Sequence, residues 1–346
     1  MAGAHPVRST LPGEETMSAA ATVTRLSQHS PASESPLNSD AQQLLSGLLS
    51  EYKSIPCAFY YDELGSHYYE QLCEQPEYYL ARTERRILHT CSDAMAAETG
   101  PCDIVELGSG NGRKTAVLMA AYQMAGRLPA YYPIDICQDS IERSIVHLSE
   151  THAGLTVTGL VGTYAQGLQS LPKTLQRRLF LFLGSSLGNM TDSEIRALLR
   201  EIRSAGRPGD MLLVGADLDK DPALLAGAYN DAAGWASRMN LNLLHNVNRR
   251  YGANFDVSRF AHLAFHNPAR MQVEAHLRSL CRQQVHIATL AITIQIARGD
   301  TLQTQIARKF EHGNFQHLGS DSGFAWQRSW TDPQGWSCMA LFRITE

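Results

Sequence analysis

A glycine-rich turn and two acids are the first residues whose types and spacing suit chemistry. The stretch "VELGSGNGRKT" places Gly108, Gly110 and Gly112 after a short apolar strand, with Glu106 just before the first glycine. Glycines let the backbone turn sharply and approach a ligand closely, and the following helix offers free N–H groups. Asp135 ends the next candidate strand, where an acid can accept hydrogen bonds from two ribose hydroxyls. The pattern indicates a nucleotide-type ligand.

The spacing of these glycines leaves three interpretations. The dinucleotide fingerprint is G-x-G-x-x-G, whereas here the third glycine arrives one residue early, as G-x-G-x-G. This spacing favours an adenosyl ligand without a pyrophosphate, S-adenosylmethionine, over a nicotinamide cofactor. The third interpretation is a plain structural turn with Asp135 as a capping or turn acid, because glycine motifs alone are weak evidence.

A polar strand near the end of the chain, "TLQTQIARKF", is a second candidate for recognition. Side chains alternate in an extended chain, so Gln303, Gln305 and Ala307 are predicted to share one face. No charge appears before Arg308. Solvent exposure is the ordinary explanation of such a face, and only its surroundings can give it another.

Strands alternating with helices from residue 103 predict an α/β fold. The candidate strands are "DIVELGSGNG", "AYYPIDI", "LTVTGLVG", "RLFLFLGSSLGN" and "DMLLVGADL". Such alternation predicts a parallel sheet covered on both faces. After Asp217 a long helical region and several alternating strands predict an insertion, and "WSCMALFRITE" predicts a last strand that returns to the main sheet.

Composition excludes several classes of protein. Of the 346 residues 44% are hydrophobic and 18% charged, as in ordinary globular proteins, and the net charge of -4 gives no footprint for nucleic acid or an anionic membrane. No apolar run approaches the ~20 residues of a membrane span. The N-terminus lacks a signal-peptide pattern, so a cytoplasmic location is expected. The Ser-, Ala-, Thr- and Pro-rich residues 1–38 predict a disordered tail, in which Met17 is an alternative start.

Cysteine and histidine spacing predicts neither disulfides nor a metal site. The seven cysteines contain no CxxC pair, and their odd number and wide spacing are typical of reduced packing residues. The thirteen histidines form no HxxxH or HExxH cluster of the kind that holds zinc on a helix. Nothing in the sequence indicates an oligomeric state.

An ordered series of blocks carries a resemblance to a known family. The blocks are "YYDELGSHYYEQLCEQPEYYLARTERRIL", "VELGSGNGRKT", "YYPIDI", "FLGSSLGNM", "GADLDKDPALLAGAYNDAAGWASRMNLNLLHNVNRRYGANFD", "TQIARKF" and "SWTDPQGW". Over roughly residues 40 to 346 the chain resembles the histidine Nα-methyltransferases of ergothioneine biosynthesis. These enzymes use S-adenosylmethionine to trimethylate the α-amine of an amino acid.

The resemblance implies a two-domain organisation. A Rossmann-like methyltransferase domain with a mostly parallel sheet would comprise residues 84–219 and 310–346. An inserted α+β substrate-binding domain would comprise 39–83 and 220–309. This division agrees with the break in rhythm after Asp217.

The resemblance also assigns residues to the cofactor, S-adenosyl-L-methionine. By analogy the cofactor-binding residues are Tyr61, Gly108, Ser109, Lys114 and Asp135, with Thr163 and Tyr164 near the adenine. Thr163 stands where the family usually carries an acid, although its hydroxyl can still accept a hydrogen bond from the adenine amine.

On the substrate side, Tyr78, Asn189 and Tyr229 match the residues that fix the amino acid in the family. Hydroxyl and amide donors suit an α-carboxylate. Taken alone, the tyrosines would be packing residues and Asn189 a turn residue. No strong general base is expected among them.

The residues expected to contact the side chain of the substrate, which we call the side-chain reader, depart from the family pattern. Histidine-specific members are expected to carry an acid in place of Gln305 and a serine in place of Ala307, both contacting the imidazole. Ala275 and Met239 would line the same pocket with altered apolar groups, with Trp235 nearby. The sequence therefore predicts an Nα-methyltransferase, acting up to trimethylation, whose substrate is tryptophan, tyrosine or a modified histidine. The alternatives are histidine methylation to hercynine and, more distantly, a non-catalytic binding relative.

Overall fold

The structure is a computed structural model that describes residues 21–26 and 39–346. Its strands are β1 (Ala21–Arg25), β2 (Cys102–Leu107), β3 (Tyr131–Asp135), β4 (Val157–Val161), β5 (Arg177–Phe182), β6 (Met211–Asp217), β7 (Phe260–Asn267), β8 (Gln272–Ser279), β9 (Gln283–Ile287), β10 (Ile292–Ile296), β11 (Thr301–Arg308), β12 (Phe324–Thr331) and β13 (Ser337–Ile344). Its α-helices are α1 (Ser39–Leu49), α2 (Glu63–Cys73), α3 (Tyr79–Thr99), α4 (Arg113–Met124), α5 (Gln138–Thr151), α6 (Tyr164–Gln169), α7 (Asp192–Ala205), α8 (Pro222–Gly227), α9 (Trp235–Tyr251) and α10 (His312–Phe315).

The central sheet has eight strands in the order β1-β4-β3-β2-β5-β6-β13-β12. Strands β1 to β6 pair in parallel, while β13 runs antiparallel to both β6 and β12. Every residue of β2 and β6 is buried, as expected for parallel strands covered on both faces. The predicted Rossmann-like α/β fold and the return of the last strand are confirmed.

The insertion contains two smaller antiparallel sheets. Strands β11, β8 and β7 form one, and β10 and β9 form the other. Strand β10 was not among the sequence predictions. The helical region before these sheets is broken between α8 and α9, where Asp231 caps α9 by accepting from the backbone N–H groups of Trp235 and Ala236 at 2.8 Å each.

Apolar side chains form separate clusters in the two parts of the chain. The main sheet packs its apolar residues against α3, α4, α5 and α7 on its two faces. A further cluster joins α1 and α9 to the small sheets through residues such as Leu44, Leu243 and Ile287. Helix α3 runs through the boundary predicted at 83–84: its first turn packs with the insertion and its later turns with the main sheet. The domain division itself stays a prediction.

The N-terminal segment differs from its sequence prediction. Residues 21–25, within the range predicted to be a disordered tail, form β1 and pair with β4. All five side chains are exposed, so the strand is held by backbone pairing and not by a core of its own. The rest of that range, and with it Met17, lies outside the described residues.

In the described residues no helix is both long enough and apolar enough to cross a membrane.

Candidate active site

The glycine turn after β2 opens onto a large cleft at the carboxyl edge of the sheet. Gly108, Gly110 and Gly112 all have positive φ, at 73°, 53° and 71°, a conformation that favours glycine. A Cβ atom on Gly108 would lie 3.0 Å from the Tyr164 hydroxyl oxygen, so glycine is also needed for close packing. The cleft has a volume of about 2080 Å³.

Two polar groups make this cleft suitable for S-adenosylmethionine. The Ser109 hydroxyl is buried and has no hydrogen-bond partner among the described residues, which leaves it free for a ligand. The Asp135 carboxylate accepts from the backbone N–H groups of Gly110 and Cys137 at 3.1 and 2.9 Å and lines the cleft. Its position at the end of β3 is where an acid can hold a ribose.

Lys114 lines the same cleft, but its charge is already paired. Its Nζ atom lies 2.7 Å from Glu84 Oε2, and the buried Glu84 carboxylate also accepts from the backbone N–H of Gly184 at 2.7 Å. The pair ties α3 and α4 to the turn after β5. A direct contact between Lys114 and the cofactor stays a prediction.

The predicted adenine end of the cleft contains Thr163 and Tyr164, as expected, and two residues that the sequence did not indicate. Thr163 caps α6 in a capping box with Gln166, and Tyr164 packs edge-on against Phe182 with ring centroids 5.6 Å apart. Arg25 and Leu26 line the cleft here because β1 lies beside β4. Sequence reasoning missed them because their segment was predicted to be unstructured.

A smaller cavity of about 50 Å³ adjoins the cleft and shares Tyr61 and Asn189 with it. Of the predicted substrate residues, the cavity is lined by Tyr78, Asn189, Tyr229, Met239, Ala275 and Gln305. Their side chains come from both parts of the chain. The structure therefore places these residues together beside the predicted cofactor cleft.

Aromatic rings form much of the cavity wall. Tyr78 lies edge-on to Tyr229 and to Tyr69, with centroids 6.3 and 6.1 Å apart, and Tyr69 lies 6.4 Å from Tyr61. Tyr69 was not predicted. Burial is the largest cause that raises the pKa of the Tyr78 and Tyr229 hydroxyls, so both stay protonated at neutral pH. They can donate hydrogen bonds but do not provide a strong base.

Two amides meet at the mouth of the cavity. Gln305 Nε2 donates to Asn189 Oδ1 at 3.0 Å. The contact depends on Gly188, because a Cβ there would lie 2.8 Å from the backbone oxygen of Arg308. A side chain at 188 would therefore separate the turn that holds Asn189 from β11.

The predicted face of β11 is wrong for Gln303. Strand β11 has a bulge against β8, so that Gln303 lies opposite His276 while Gln305 lies opposite Ala275. Adjacent residues of β8 point to opposite faces, and the two glutamines therefore do so as well. Gln303 donates to Glu274 at 3.3 Å, away from the cavity. Alternation alone could not locate the bulge, because it depends on the partner strand.

Ala307 and Trp235 do not line the cavity. Ala307 lies two residues further along β11 than Gln305, on the same face, and is buried in an apolar cluster with Tyr78, Tyr229 and Val273. Trp235 packs instead against Tyr68, with centroids 6.0 Å apart. A contact between Ala307 and the substrate stays a prediction.

A buried charge cluster behind Tyr229 was missed by sequence reasoning. Lys309 Nζ lies 2.7 Å from Asp217 Oδ2 and 3.3 Å from the Tyr229 hydroxyl. The other carboxylate oxygen of Asp217 lies 2.6 Å from Lys220 Nζ, and Tyr79 donates to the same carboxylate. A single lysine after a strand would ordinarily be read as a surface residue.

At the base of the cavity a histidine is held in one tautomer. Asn240 Nδ2 donates to His262 Nδ1 at 2.8 Å, so His262 Nε2 carries the proton and donates to the backbone oxygen of Tyr229 at 2.9 Å. Burial lowers the pKa of His262. The ring is neutral and orients Tyr229.

Glu106 has a structural position beneath the glycine turn. Its carboxyl group is buried and accepts from Thr115 at 2.5 Å and from the hydroxyl of Tyr131. Burial is the main cause that raises the pKa of Glu106 to about 7. The described residues contain no group of three His, Cys, Asp or Glu side chains that could hold a metal ion.

Comparison with known proteins identifies the family of this chain. Residues 40–344 match the model of a family described as histidine-specific, S-adenosylmethionine-dependent methyltransferases. The chain is 34% identical over 304 residues to the histidine N-alpha-methyltransferase of Mycolicibacterium smegmatis, covering 88% of this chain and 94% of that protein. The corresponding Mycobacterium tuberculosis enzyme is 34% identical over 85% of this chain and 91% of its own length.

A more distant relative is a 4-dimethylallyltryptophan N-methyltransferase of Claviceps purpurea, 26% identical over 54% of this chain and 58% of that protein. The family match spans nearly all of the chain from α1 to β13, including the cleft and the cavity. The chain therefore belongs to the histidine-specific methyltransferase family and is an S-adenosylmethionine-dependent N-methyltransferase.

Proposed function

We propose that the protein methylates the α-amine of a free amino acid, up to three times, and that it prefers an aromatic amino acid, tryptophan or tyrosine, or a modified histidine. The observation that carries the substrate proposal is the neutral amide of Gln305 at the cavity mouth, opposite Ala275.

The residues that lie between the cleft and the cavity support methyl transfer to an α-amine. S-adenosylmethionine supplies an electrophilic methyl group when bound. Tyr78, Asn189 and Tyr229 offer hydroxyl and amide groups that hold an α-amino acid with its nitrogen toward the cleft. Such positioning can account for up to ~7–11 kcal/mol of the barrier in favourable cases. The protonated tyrosines bind and orient the substrate, and the proton of its ammonium group passes to solvent or through these hydroxyls.

Repeated methylation requires a site that tolerates a growing cation. The edge-on rings of Tyr69, Tyr78 and Tyr229 provide aromatic faces beside the predicted amine position. Aromatic faces attract quaternary ammonium groups by about 0.5–2 kcal/mol each. This wall favours a trimethylated product over a single methyl transfer.

The side-chain reader favours a substrate other than histidine. A carboxylate only accepts hydrogen bonds and pairs well with an imidazole N–H or an imidazolium. The Gln305 amide is neutral, with one N–H already used by Asn189, and its oxygen suits an indole N–H or a phenol O–H. Ala275, opposite Gln305, presents only a methyl group and offers no hydrogen bond to an imidazole.

Histidine methylation to hercynine is the second candidate. The family description and the names of both mycobacterial relatives favour it. The Claviceps relative, named for a tryptophan derivative, favours an indole substrate. The chemistry at position 305 separates the two.

Incubation of the protein with S-adenosylmethionine and each candidate amino acid tests the proposal. Mass spectrometry should record additions of up to three methyl groups to tryptophan, tyrosine or an imidazole-substituted histidine, and NMR should place them on the α-nitrogen. Efficient trimethylation of histidine alone would support hercynine synthesis. Binding of S-adenosylhomocysteine without methylation of any amino acid would indicate a non-catalytic relative.

A further inference from the structure

The cavity that would hold the amino acid has no cationic side chain in its own lining. Among the described residues that line it, none is lysine or arginine, and its one histidine, His262, is neutral. Lys114 lies near its mouth but is paired with Glu84. A carboxylate that enters this cavity must therefore be stabilised from behind the wall.

Lys309 lies directly behind the wall. Its side chain is 1% exposed, and its ammonium lies 3.3 Å from the Tyr229 hydroxyl oxygen and 5.0 Å from the centre of the same ring. An ammonium group can only donate hydrogen bonds. The Tyr229 oxygen must therefore accept from Lys309, and the proton of its own hydroxyl points elsewhere.

Lys309 shares its carboxylate partner with a second lysine. Asp217 carries one negative charge but contacts two lysines, Lys309 at 2.7 Å and Lys220 at 2.6 Å. A second acid, Asp332, interacts electrostatically with Lys220. Its carboxylate also accepts hydrogen bonds from the backbone N–H groups of Trp336 and Ser337. The two lysines and two aspartates balance in number, and the ammonium of Lys309 is the charged group that contacts Tyr229.

We propose that Lys309 is a positioning residue that fixes the Tyr229 hydroxyl as a donor into the cavity and thereby selects for the α-carboxylate of the substrate. This inference rests on the proposed function, since it takes a free amino acid as the ligand. It extends that proposal by naming the buried group that makes a tyrosine recognise an anion.

Calorimetric titration of the S-adenosylhomocysteine complex tests this role. The two ligands are the preferred amino acid and its primary amide, which differ in charge but hardly in shape. Lys309→Met should weaken binding of the amino acid about 10- to 100-fold, the range for a hydrogen bond to a charged group. Binding of the amide should change less than about 2-fold, because the amide carries no negative charge for the Tyr229 hydroxyl to stabilise.

A double-mutant cycle with Tyr229→Phe separates positioning from general damage. If Lys309 acts through the Tyr229 hydroxyl, adding Lys309→Met to Tyr229→Phe should weaken amino-acid binding little further. Lys220→Met is the matched control, because Lys220 also pairs with Asp217 but does not contact Tyr229. It should lower the melting temperature and leave amino-acid affinity unchanged.

Three results would overturn the inference. They are equal losses for the amino acid and its amide, additive effects of Lys309→Met and Tyr229→Phe, and a wild-type affinity in Lys309→Met. If Lys309→Met does not fold, Asp217→Asn combined with Lys309→Met removes both charges together and is judged by the same comparison. A wild-type protein that binds no free amino acid would refute the proposed function and this inference together.

Discussion

Replacing Gln305 by glutamate should shift the substrate preference of the protein toward histidine. In the wild-type protein Gln305 Nε2 donates to Asn189 Oδ1 at 3.0 Å. Glutamate cannot donate, so the Asn189 amide must rotate by half a turn and offer its Nδ2 group to the new carboxylate. After that rotation the second carboxylate oxygen is free to accept from an imidazole N–H.

The size of the effect follows from the charge of the new acceptor. A hydrogen bond to a charged group contributes about 1.5–3 kcal/mol, and one between neutral groups about 0.5–1.5 kcal/mol. The difference of about 1–1.5 kcal/mol predicts a rise of about 5- to 12-fold in kcat/KM for histidine. Tryptophan should gain less, because its indole cannot become a cation that pairs with the added carboxylate as an imidazolium can.

The assay is the ratio of kcat/KM for histidine to that for tryptophan, measured in wild type and variant. Gln303→Glu is the matched control, since Gln303 lies on the same strand but on the opposite face beside Glu274. It should lower stability through repulsion between two carboxylates and leave the ratio unchanged. An unchanged ratio in Gln305→Glu, or an equal change in both variants, would refute the assignment of Gln305 as the reader.

Three further predictions concern the cofactor cleft. Gly108→Ala should weaken S-adenosylhomocysteine binding more than about 10-fold, because residue 108 has a φ of 73° and its new Cβ would contact Tyr164. Gly126→Ala is the control, since Gly126 has a φ of 71° but open space around it. This control should lower stability and leave the affinity unchanged. Since burial raises the pKa of Glu106 from 4.5 to about 7, its contribution to folding stability is present below pH 4.5 and lost as pH rises through 7. The melting temperature of Glu106→Gln should therefore rise relative to wild type between pH 5 and pH 8, and a constant difference would contradict this. Deletion of residues 2–26 should weaken S-adenosylhomocysteine binding while deletion of residues 2–20, which keeps β1, should not; equal affinities would exclude Arg25 and Leu26 from the site.

The main sheet could be predicted from the sequence because its strands are buried on both faces. A parallel strand such as β2 appears as a short apolar run that ends in glycine, and local composition is enough to identify it. Strand β1 could not be found in this way, since its exposed Thr and Val side chains contribute nothing to a core and its pairing with β4 is made by the backbone. A strand of that kind is visible only when its partner is known.

The family blocks in the sequence predicted part of the candidate site. The residues that could not be predicted are those whose position depends on burial or on strand register. Tyr78, Asn189 and Tyr229 lie at one cavity, as the family blocks implied. The bulge in β11 places Gln303 on the face opposite that of Gln305, because side-chain facing depends on strand register and not on spacing alone. Lys309 could not be predicted as a site residue, because its burial depends on the ion pair with Asp217, 92 residues earlier in the chain.

We propose that this family member prefers tryptophan, tyrosine or a modified histidine to histidine itself. The most direct measurement is a competition in which the protein receives S-adenosylmethionine with equal concentrations of histidine, tryptophan, tyrosine and an imidazole-substituted histidine. The initial rates of Nα-methylation are then followed by mass spectrometry. We expect tryptophan, tyrosine or the substituted histidine to be methylated faster than histidine. Faster methylation of histidine than of every competitor would contradict it.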